Sequence, residues 1–292
     1  MLYSRQLRPG WSAGCVILRS ASGGGTEPSR RPRWFSSRWR PADPSTGVGI
    51  TSGVNPIARG DLRARLGTHR GIWVQTIYLG ICSTFLLLSL PPEIGRFELR
   101  EANLLLAFLV VQLVAVTYLT SAFASSELAL EGEKGLPDLA LSAFSPHAVA
   151  VGKLASSGVY ASYLVVVGMP IVTLAAALRG TALGTVAAAG VLIIAVATAA
   201  GTWGAWLGGR LTSDFTRSFV HWAMLAGVFV GTTLLPPPWS LANPLRLLDL
   251  IVRDGWTVSL AVVAAGYATA AAAGGMLIRS YIASARLDAV ES

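Results

Sequence analysis

Charged residues are scarce in this sequence, and long apolar runs stand in their place. Only 13% of the 292 residues are charged, whereas 53% are hydrophobic, and the mean hydropathy is +0.57. A soluble domain of this length needs far more charged surface, which excludes an ordinary globular fold. The apolar residues form blocks of about the length that crosses a bilayer. The sequence therefore predicts an all-α polytopic membrane protein.

Cysteine is nearly absent too. Cys15 and Cys82 lie far apart, and Cys82 falls inside an apolar run, so neither a disulfide framework nor a cysteine metal site is indicated. Ionisable residues are almost missing from the middle of the apolar runs. Proton-coupled pumps, ion-coupled carriers and intramembrane hydrolases usually carry such groups, and their scarcity argues against those classes.

Motifs for catalysis, metal binding or nucleotide binding are missing as well. The three histidines are isolated, with no second histidine or carboxylate at metal-ligand spacing. Gly152-Lys153 is followed by leucine and has no glycine five residues earlier, so it is not a phosphate-binding loop. We expect no catalytic residues, no metal site and no enzyme activity in this chain. The isolated histidines are His69, His147 and His221.

The N-terminal segment, residues 1–52, is rich in arginine, serine, glycine and proline. Twelve of the 23 basic residues are arginines within residues 1–70. This composition predicts a disordered basic tail. It also suits an organellar transit peptide, or extra residues added by an upstream start codon. The net charge of +8 thus belongs largely to a tail and favours anionic lipid, not nucleic acid, as its partner.

The remaining chain divides into three predicted parts. Residues 53–70 form a basic amphipathic connecting helix that lies at the headgroup level, residues 71–284 form a six-span domain, and residues 285–292 form a cytoplasmic tail. Proline interrupts residues 236–256, which we expect to be an irregular or re-entrant segment at the far surface. The predicted spans are 71–90, 103–124, 146–178, 181–208, 219–235 and 257–282.

Residues 127–153 form the one charged, turn-rich stretch in the middle of the chain. Gly135 and Pro137 are expected to break the preceding helix, and apolar residues then recur at helical spacing in a short amphipathic helix. Ser145 is a predicted N-cap with Pro146 at the first helical position. The helix that follows, of about 33 residues, is roughly 50 Å long and exceeds the hydrocarbon core. Pro170 should kink it.

The distribution of lysine and arginine predicts the orientation. With the N-terminus inside, 18 basic residues are cytoplasmic and five lie outside. The positive-inside rule then places both termini, and the stretch 127–153, in the cytoplasm.

The central stretch carries a family resemblance. The order of residue types in this stretch resembles the first cytoplasmic loop of bacterial ABC transporter permeases of the type-2, exporter-like class. Acidic residues, a basic residue and glycine come first, an apolar run follows, and Ser-Pro and Gly-Lys come last. Asn55-Pro56 is similar to the start of their connecting helix, and residues 242–245 are similar to their outer segment. Leu136-Pro137 and Ala143 depart from the family pattern. The matching loop residues are Glu131, Glu133, Lys134, Gly135, Asp138, Leu139, Leu141, Ser145, Pro146, Gly152 and Lys153.

The resemblance implies a coupling helix that docks on a separate ATPase subunit, which binds ATP and Mg²⁺. It also implies pairing with a second permease, as homodimer or heterodimer, export of a substrate, and a place in the bacterial cytoplasmic membrane. Leu139, Leu141 and Phe144 would enter a hydrophobic groove, and the charged residues would fix orientation. The implied coupling residues are Glu131, Glu133, Lys134, Gly135, Asp138, Leu139, Leu141, Phe144, Ser145, Pro146 and Lys153.

Other interpretations of these patterns stay open. The amphipathic helix can instead lie on the inner leaflet, and the protein can be a scaffold or regulatory anchor that recruits a cytoplasmic partner and transports nothing. A ladder of small residues, 197–209, serves packing within one bundle or a dimer seam. An apolar bundle with almost no charge is compatible with lipids, drugs or a peptide as substrate.

Overall fold

Helices account for nearly all of the chain that the computed structural model describes, namely residues 55–89, 104–140, 144–211, 213–236, 239–255 and 258–291. No strand occurs among these residues. They belong to one compact unit, Gly53–Ser292. Two short 3₁₀ segments, Gly231–Leu234 and Trp239–Ala242, lie between residues 229 and 244. The helices are α1 Pro56–Leu66, α2 His69–Ser89, α3 Leu104–Ala140, α4 Pro146–Arg179, α5 Leu183–Arg210, α6 Asp214–Phe229, α7 Pro244–Asp254 and α8 Val258–Glu291.

Three helices begin at a polar cap followed by proline. The side chains of Asn55, Ser145 and Asn243 each accept hydrogen bonds from backbone N–H groups of the first turn. Such caps satisfy N–H groups that have no partner within the helix, and proline lacks the N–H that would be unsatisfied there. The predicted start of α4 at Ser145 and Pro146 is confirmed, and the helix runs unbroken through Pro170 to Arg179.

Within the described residues, four helices are long and apolar enough to cross a membrane. Their qualifying segments are Leu105–Ala129, Pro146–Leu178, Leu183–Arg210 and Ala261–Leu287. Two further predicted spans correspond to shorter elements. The apolar part of α2 is Gly71–Phe85, and α6 ends at Phe229 before the first 3₁₀ segment.

The predicted helix break at Gly135 and Pro137 is wrong. Helix α3 runs without interruption from Leu104 through both residues to Ala140. Proline lacks one helix N–H and crowds the preceding turn, but only three residues of α3 follow Pro137, so the disturbance falls in the last turn of a long helix. The short, separate helix expected after this break is therefore not present as such, and residues 131–140 instead extend α3.

Within the predicted irregular segment, residues 239–255 are more regular than the sequence predicts. A turn of 3₁₀ helix leads into α7, whose apolar face buries Leu247, Leu248 and Ile251. The Asn243 amide caps α7 and also donates to the backbone carbonyl of Phe229, 3.0 Å away. Pro244 is the first residue of α7, where an N–H would have no partner within the helix, so a regular helix can begin in this proline-rich stretch.

Helices α3 and α5 pack with their backbones in close contact. A Cβ added at Gly204 of α5 would lie 2.7 Å from the carbonyl oxygen of Ser121, and one at Gly208 would strike the backbone of Ser125. Glycine is therefore needed at both positions, since its missing side chain lets the backbones meet. The small residues of α5 thus pack within the bundle.

Helices α5 and α8 run parallel. The Trp203 indole N–H donates to the Ala270 carbonyl at 3.0 Å. Six residues further along α5 and eleven further along α8, the Tyr281 hydroxyl donates to the Gly209 carbonyl at 2.6 Å. Two parallel helices need a connection that returns the full height of the bundle. The segment of α6, the 3₁₀ turns and α7 makes this return.

Candidate functional site

Helix α1 packs against the α3–α4 hairpin close to its tip, along the first three turns of α4. The Asn55 amide donates to the Ala148 carbonyl of α4 over 2.8 Å, while its side-chain oxygen caps α1. A Cβ at Gly152 would lie 2.9 Å from the Ile57 side chain, so α1 and α4 are in close contact. This arrangement brings the inner face of α1 against both α3 and α4.

Arg65 of α1 and Glu127 of α3 form a bidentate pair. The Arg65 Nε and Nη2 atoms donate to the two carboxylate oxygens at 2.8 and 2.7 Å. The Arg65 side chain is only 1% exposed, and its guanidinium lies 5.3 Å from the centre of the Tyr160 ring. Burial lowers the pKa of Arg65, but the hydrogen bond and charge of Glu127 outweigh it and raise that pKa above its ordinary value. Arg65 therefore remains charged.

Lys153 of α4 and Asp61 of α1 form a second buried pair. The Lys153 ammonium donates to Asp61 Oδ1 over 3.1 Å, and the lysine side chain is 1% exposed. The Ser156 hydroxyl lies 3.3 Å from Asp61 Oδ2 and 3.0 Å from the Lys153 carbonyl. Its single proton can serve either acceptor at one time.

Together these four side chains, Asp61, Arg65, Glu127 and Lys153, are here named the ion-pair cluster. It contains two positive and two negative charges, so it places no net charge in the protein. Removing one partner of such a buried pair typically costs ~3–5 kcal/mol, because the other charge is left uncompensated. The cluster is therefore suited to fixing α1 onto the hairpin. It has none of the composition of a metal centre, and no group of three or more metal-binding side chains occurs in the described parts of the chain.

The structure places the predicted coupling residues in different environments. Glu131, Glu133, Lys134, Gly135, Asp138 and Leu139 belong to the last turns of α3, where the helix backbone is described. Leu141 lies outside the described residues. Phe144 is 43% exposed at the tip of the hairpin, beside the cap Ser145 and Pro146.

Lys153 differs from the expectation. The resemblance implies that it belongs to the coupling surface, but it is buried two turns into α4 and paired with Asp61. A buried lysine needs a carboxylate partner, and α1 supplies one. Lys153 thus holds α1 in place and is not part of an exposed surface.

Sequence reasoning missed Asp61, Arg65 and Glu127 as a cluster. The sequence predicts α1 as a basic amphipathic helix at the headgroup level and does not distinguish Arg65 from its other arginines. In the structure the exposed arginines of α1 are Arg59 and Arg63, while Arg65 faces inward. One signal was available, because Asp61 is the single acid of this basic helix and lies four residues before Arg65, on the same face.

These observations define a class of protein: an all-helical, membrane-embedded bundle with a long hairpin, α3–α4, that is tied near its tip to α1 by buried ion pairs. Comparison with protein-family models and with curated proteins gives no match.

Proposed function

We propose that this chain is the membrane-spanning permease subunit of an ATP-driven transporter of the ABC type-2 class, with ATP hydrolysed by a separate ATPase subunit. The chain itself performs no bond chemistry in this proposal. ATP and Mg²⁺ are bound by the partner, and the permease pairs with a second copy or a related permease in the bacterial cytoplasmic membrane. Export is the direction that the family resemblance favours.

The observation that carries the proposal is the length of the α3–α4 hairpin. Helix α3 has 37 residues and α4 has 34, which correspond to about 55 and 51 Å at 1.5 Å per residue. A hydrocarbon core is about 30 Å thick. The apolar segment of α3 ends at Ala129, and the helix continues to Ala140. Apart from Glu127, which pairs with Arg65, the charged residues of α3 lie in this extension, so the excess length stands in the aqueous phase at the hairpin tip.

A hairpin that projects from the membrane presents a docking surface for a cytoplasmic ATPase. Its tip presents the aromatic side chain of Phe144, and the sequence of the last turns of α3 interleaves apolar residues with acids and one lysine. An apolar anchor surrounded by charges is a common recognition surface for a groove on a partner. The loop resemblance falls on the same residues.

The proposal includes six membrane passes. Helix α2, with 21 residues, is about 31 Å long, which matches the hydrocarbon thickness. Helix α6 contributes about 24 Å and the 3₁₀ segment after it about 8 Å, which together cover the same distance. An even number of passes agrees with both termini in the cytoplasm.

The ion-pair cluster explains how movement of the hairpin would reach the rest of the bundle. When the ATPase pair closes on ATP, a docked hairpin is displaced. Asp61 ties α1 to α4, and Arg65 ties α1 to α3, so these three helices move together. Helix α2 moves with them because only two residues separate it from α1. The substrate path would open and close between this group and the remaining helices.

The test is co-purification of the full chain with a P-loop ATPase encoded beside it. Phe144→Asp, alone and with Leu139→Asp, should lower recovery of the ATPase at least tenfold, because a charge replaces an apolar anchor. Leu183→Asp is the matched control, since Leu183 is an exposed apolar residue, 70% exposed, at the turn between α4 and α5. This control should retain the ATPase.

Two outcomes would contradict the proposal. One is the absence of any ATPase from material purified under mild conditions, and the other is undiminished ATPase recovery with the double variant. Measured ATP-dependent flux in vesicles holding both subunits separates a transporter from a scaffold that only recruits the ATPase.

A further inference from the structure

An apolar cavity lies between α3, α5, α6 and α8, apart from the ion-pair cluster. It has a volume of about 220 Å³. Buried residues form its floor, namely Thr117 of α3, Val196 of α5 and Leu225 of α6. Half-buried residues form its rim, so the cavity opens at the surface of the bundle between α6 and α8. The rim residues are Trp203 on α5, Met224 and Val228 on α6, and Tyr267 and Ala270 on α8.

The cavity lies at the middle depth of the membrane-spanning helices. Thr117 is the central residue of the apolar segment Leu105–Ala129, and Val196 is one of the two central residues of Leu183–Arg210. The centre of such a segment coincides with the centre of a hydrocarbon core that is about 30 Å thick. Outside the mouth, at this depth, a membrane offers lipid chains and no water.

The polar groups around the cavity are already used or covered. The Trp203 indole N–H donates to the Ala270 carbonyl at 3.0 Å, and the Tyr267 hydroxyl donates to the Ala242 carbonyl at 2.6 Å. The Thr117 hydroxyl oxygen is fully buried. None of the described residues exposes a nitrogen or oxygen atom to the cavity. A sugar, an ion or a charged headgroup would find no hydrogen-bond partner there, so the cavity selects hydrocarbon.

The size of the cavity is sufficient for part of a hydrocarbon chain. An apolar cavity of ~150 Å³ inside a protein stays dry and can bind benzene. The cavity between α6 and α8 is larger than this and is open on one side. Atoms that line an empty space lose the van der Waals contacts that a neighbour would provide. A chain that enters from the lipid restores these contacts, and no polar group has to be desolvated.

The approach to the mouth is apolar as well. Beside it, Trp222 and Val230 of α6 are 55% and 60% exposed, and Val262 of α8 is 66% exposed. The sequence contains no charged residue between Arg217 and Arg246, and α8 has none before Arg279. A lipid chain can therefore pass from this surface into the cavity without meeting a charge.

We propose that the cavity between α6 and α8 holds one hydrocarbon chain of a bilayer phospholipid, which enters sideways from the membrane and packs against Leu225 and Trp203. The proposal depends on the membrane embedding of the bundle and not on an ATPase partner. The other candidate for covering this mouth is a second copy of the chain, which the experiment distinguishes.

The experiment uses Trp203 as a reporter inside the cavity. The full chain is reconstituted in phosphatidylcholine vesicles whose acyl chains carry bromine either near the methyl end or near the headgroup, because bromine quenches tryptophan fluorescence on contact. The contribution of Trp203 is the difference between the unaltered protein and Trp203→Phe. Bromine near the methyl end should quench Trp203 more strongly, since the cavity lies at the centre of the membrane. Trp222, measured in the same way with Trp222→Phe, reports chains that touch only the outer surface.

Matched variants connect the quenching to the cavity. Ala270→Leu should lower the quenching of Trp203 about twofold or more, because a larger side chain takes the space of the lipid chain. The backbone carbonyl that accepts from Trp203 is retained. Ala200→Leu fills the cavity from α5 and should have the same effect. Ala272→Leu is the control, because Ala272 is exposed on α8, and it should leave the quenching of Trp203 unchanged.

Three results would overturn the proposal. The first is no quenching of Trp203, as expected for an empty cavity or one covered by a second copy. The second is stronger quenching by bromine near the headgroup, and the third is unchanged quenching in both filling variants. Any of these leaves the transport proposal untouched, since that one is tested by recovery of the ATPase.

Discussion

At the scale of single residues, the buried charges of the ion-pair cluster are the most consequential feature. Lys153 is surrounded by protein and has Asp61 as its counter-ion. The attraction between two buried charges only about offsets the cost of removing them from water, so the pair contributes specificity more than stability. Removing only one of the two charges is costly, because the other charge stays buried without a counter-ion.

The prediction at this scale concerns Lys153→Met. It should destabilise the protein by ~3–5 kcal/mol, because Asp61 is left as an uncompensated buried charge. The double variant Asp61→Leu, Lys153→Met should recover most of that loss, since apolar residues of similar size can replace a buried pair. Thermal unfolding in detergent, followed by tryptophan fluorescence, measures both. Equal melting temperatures for the single variant and the unaltered protein would refute a structural pair.

At the scale of helices, the α3–α5 contact decides how tightly the bundle is built. Gly204 and Gly208 bring the backbone of α5 onto that of α3, and the buried serines of α3 lie opposite them. In a membrane there is no hydrophobic driving force between helices, so this close packing is a main source of association.

Gly204→Ala should therefore destabilise the bundle by about 1–3 kcal/mol, the usual cost of an added methyl group where no space exists. Its matched control is Gly266→Ala on α8, where an added Cβ meets nothing within 4 Å. That control should be neutral or should stabilise the helix by up to ~1 kcal/mol, because alanine restricts the unfolded chain. Resistance to unfolding by a denaturing detergent distinguishes them, and equal loss in both would show that the contact is not tight.

At the scale of the whole molecule, the direction of the helices matters most. The end of α8 returns to the hairpin, where Arg286 donates to the Phe144 carbonyl, and α5 runs parallel to α8. The chain between them must therefore cross back over the height of the bundle.

Labelling of single cysteines with a membrane-impermeant maleimide tests this topology. In a background of Cys15→Ser and Cys82→Ala, cysteines at Ser145 and Leu287 should react from one side of the membrane, and cysteines at Leu183 and Leu234 from the other. All four positions are exposed in the structure. If positions 145 and 287 react from opposite sides, the chain crosses the membrane an odd number of times between them. That result would exclude the six-pass topology.

The sequence by itself determined the local structure of this protein. Hydropathy places the four long apolar helices within a few residues, because burial in lipid leaves helices as the stable choice for an apolar run. Ser145 with Pro146 specifies the start of α4, since capping is a local interaction. The same local reasoning failed at Pro137, because a long helix tolerates a proline near its end. It also failed at Asn243, because the neighbouring prolines predicted an irregular segment and not a capped helix.

Only the tertiary structure decided which charges meet. Asp61 and Lys153 are 92 residues apart in the chain, and no local pattern distinguishes an arginine that faces solvent from Arg65, which pairs with Glu127. The packing of α1 against the hairpin selects these partners, because a charge enters a helix interface only where its counter-ion and hydrogen bonds are already in reach.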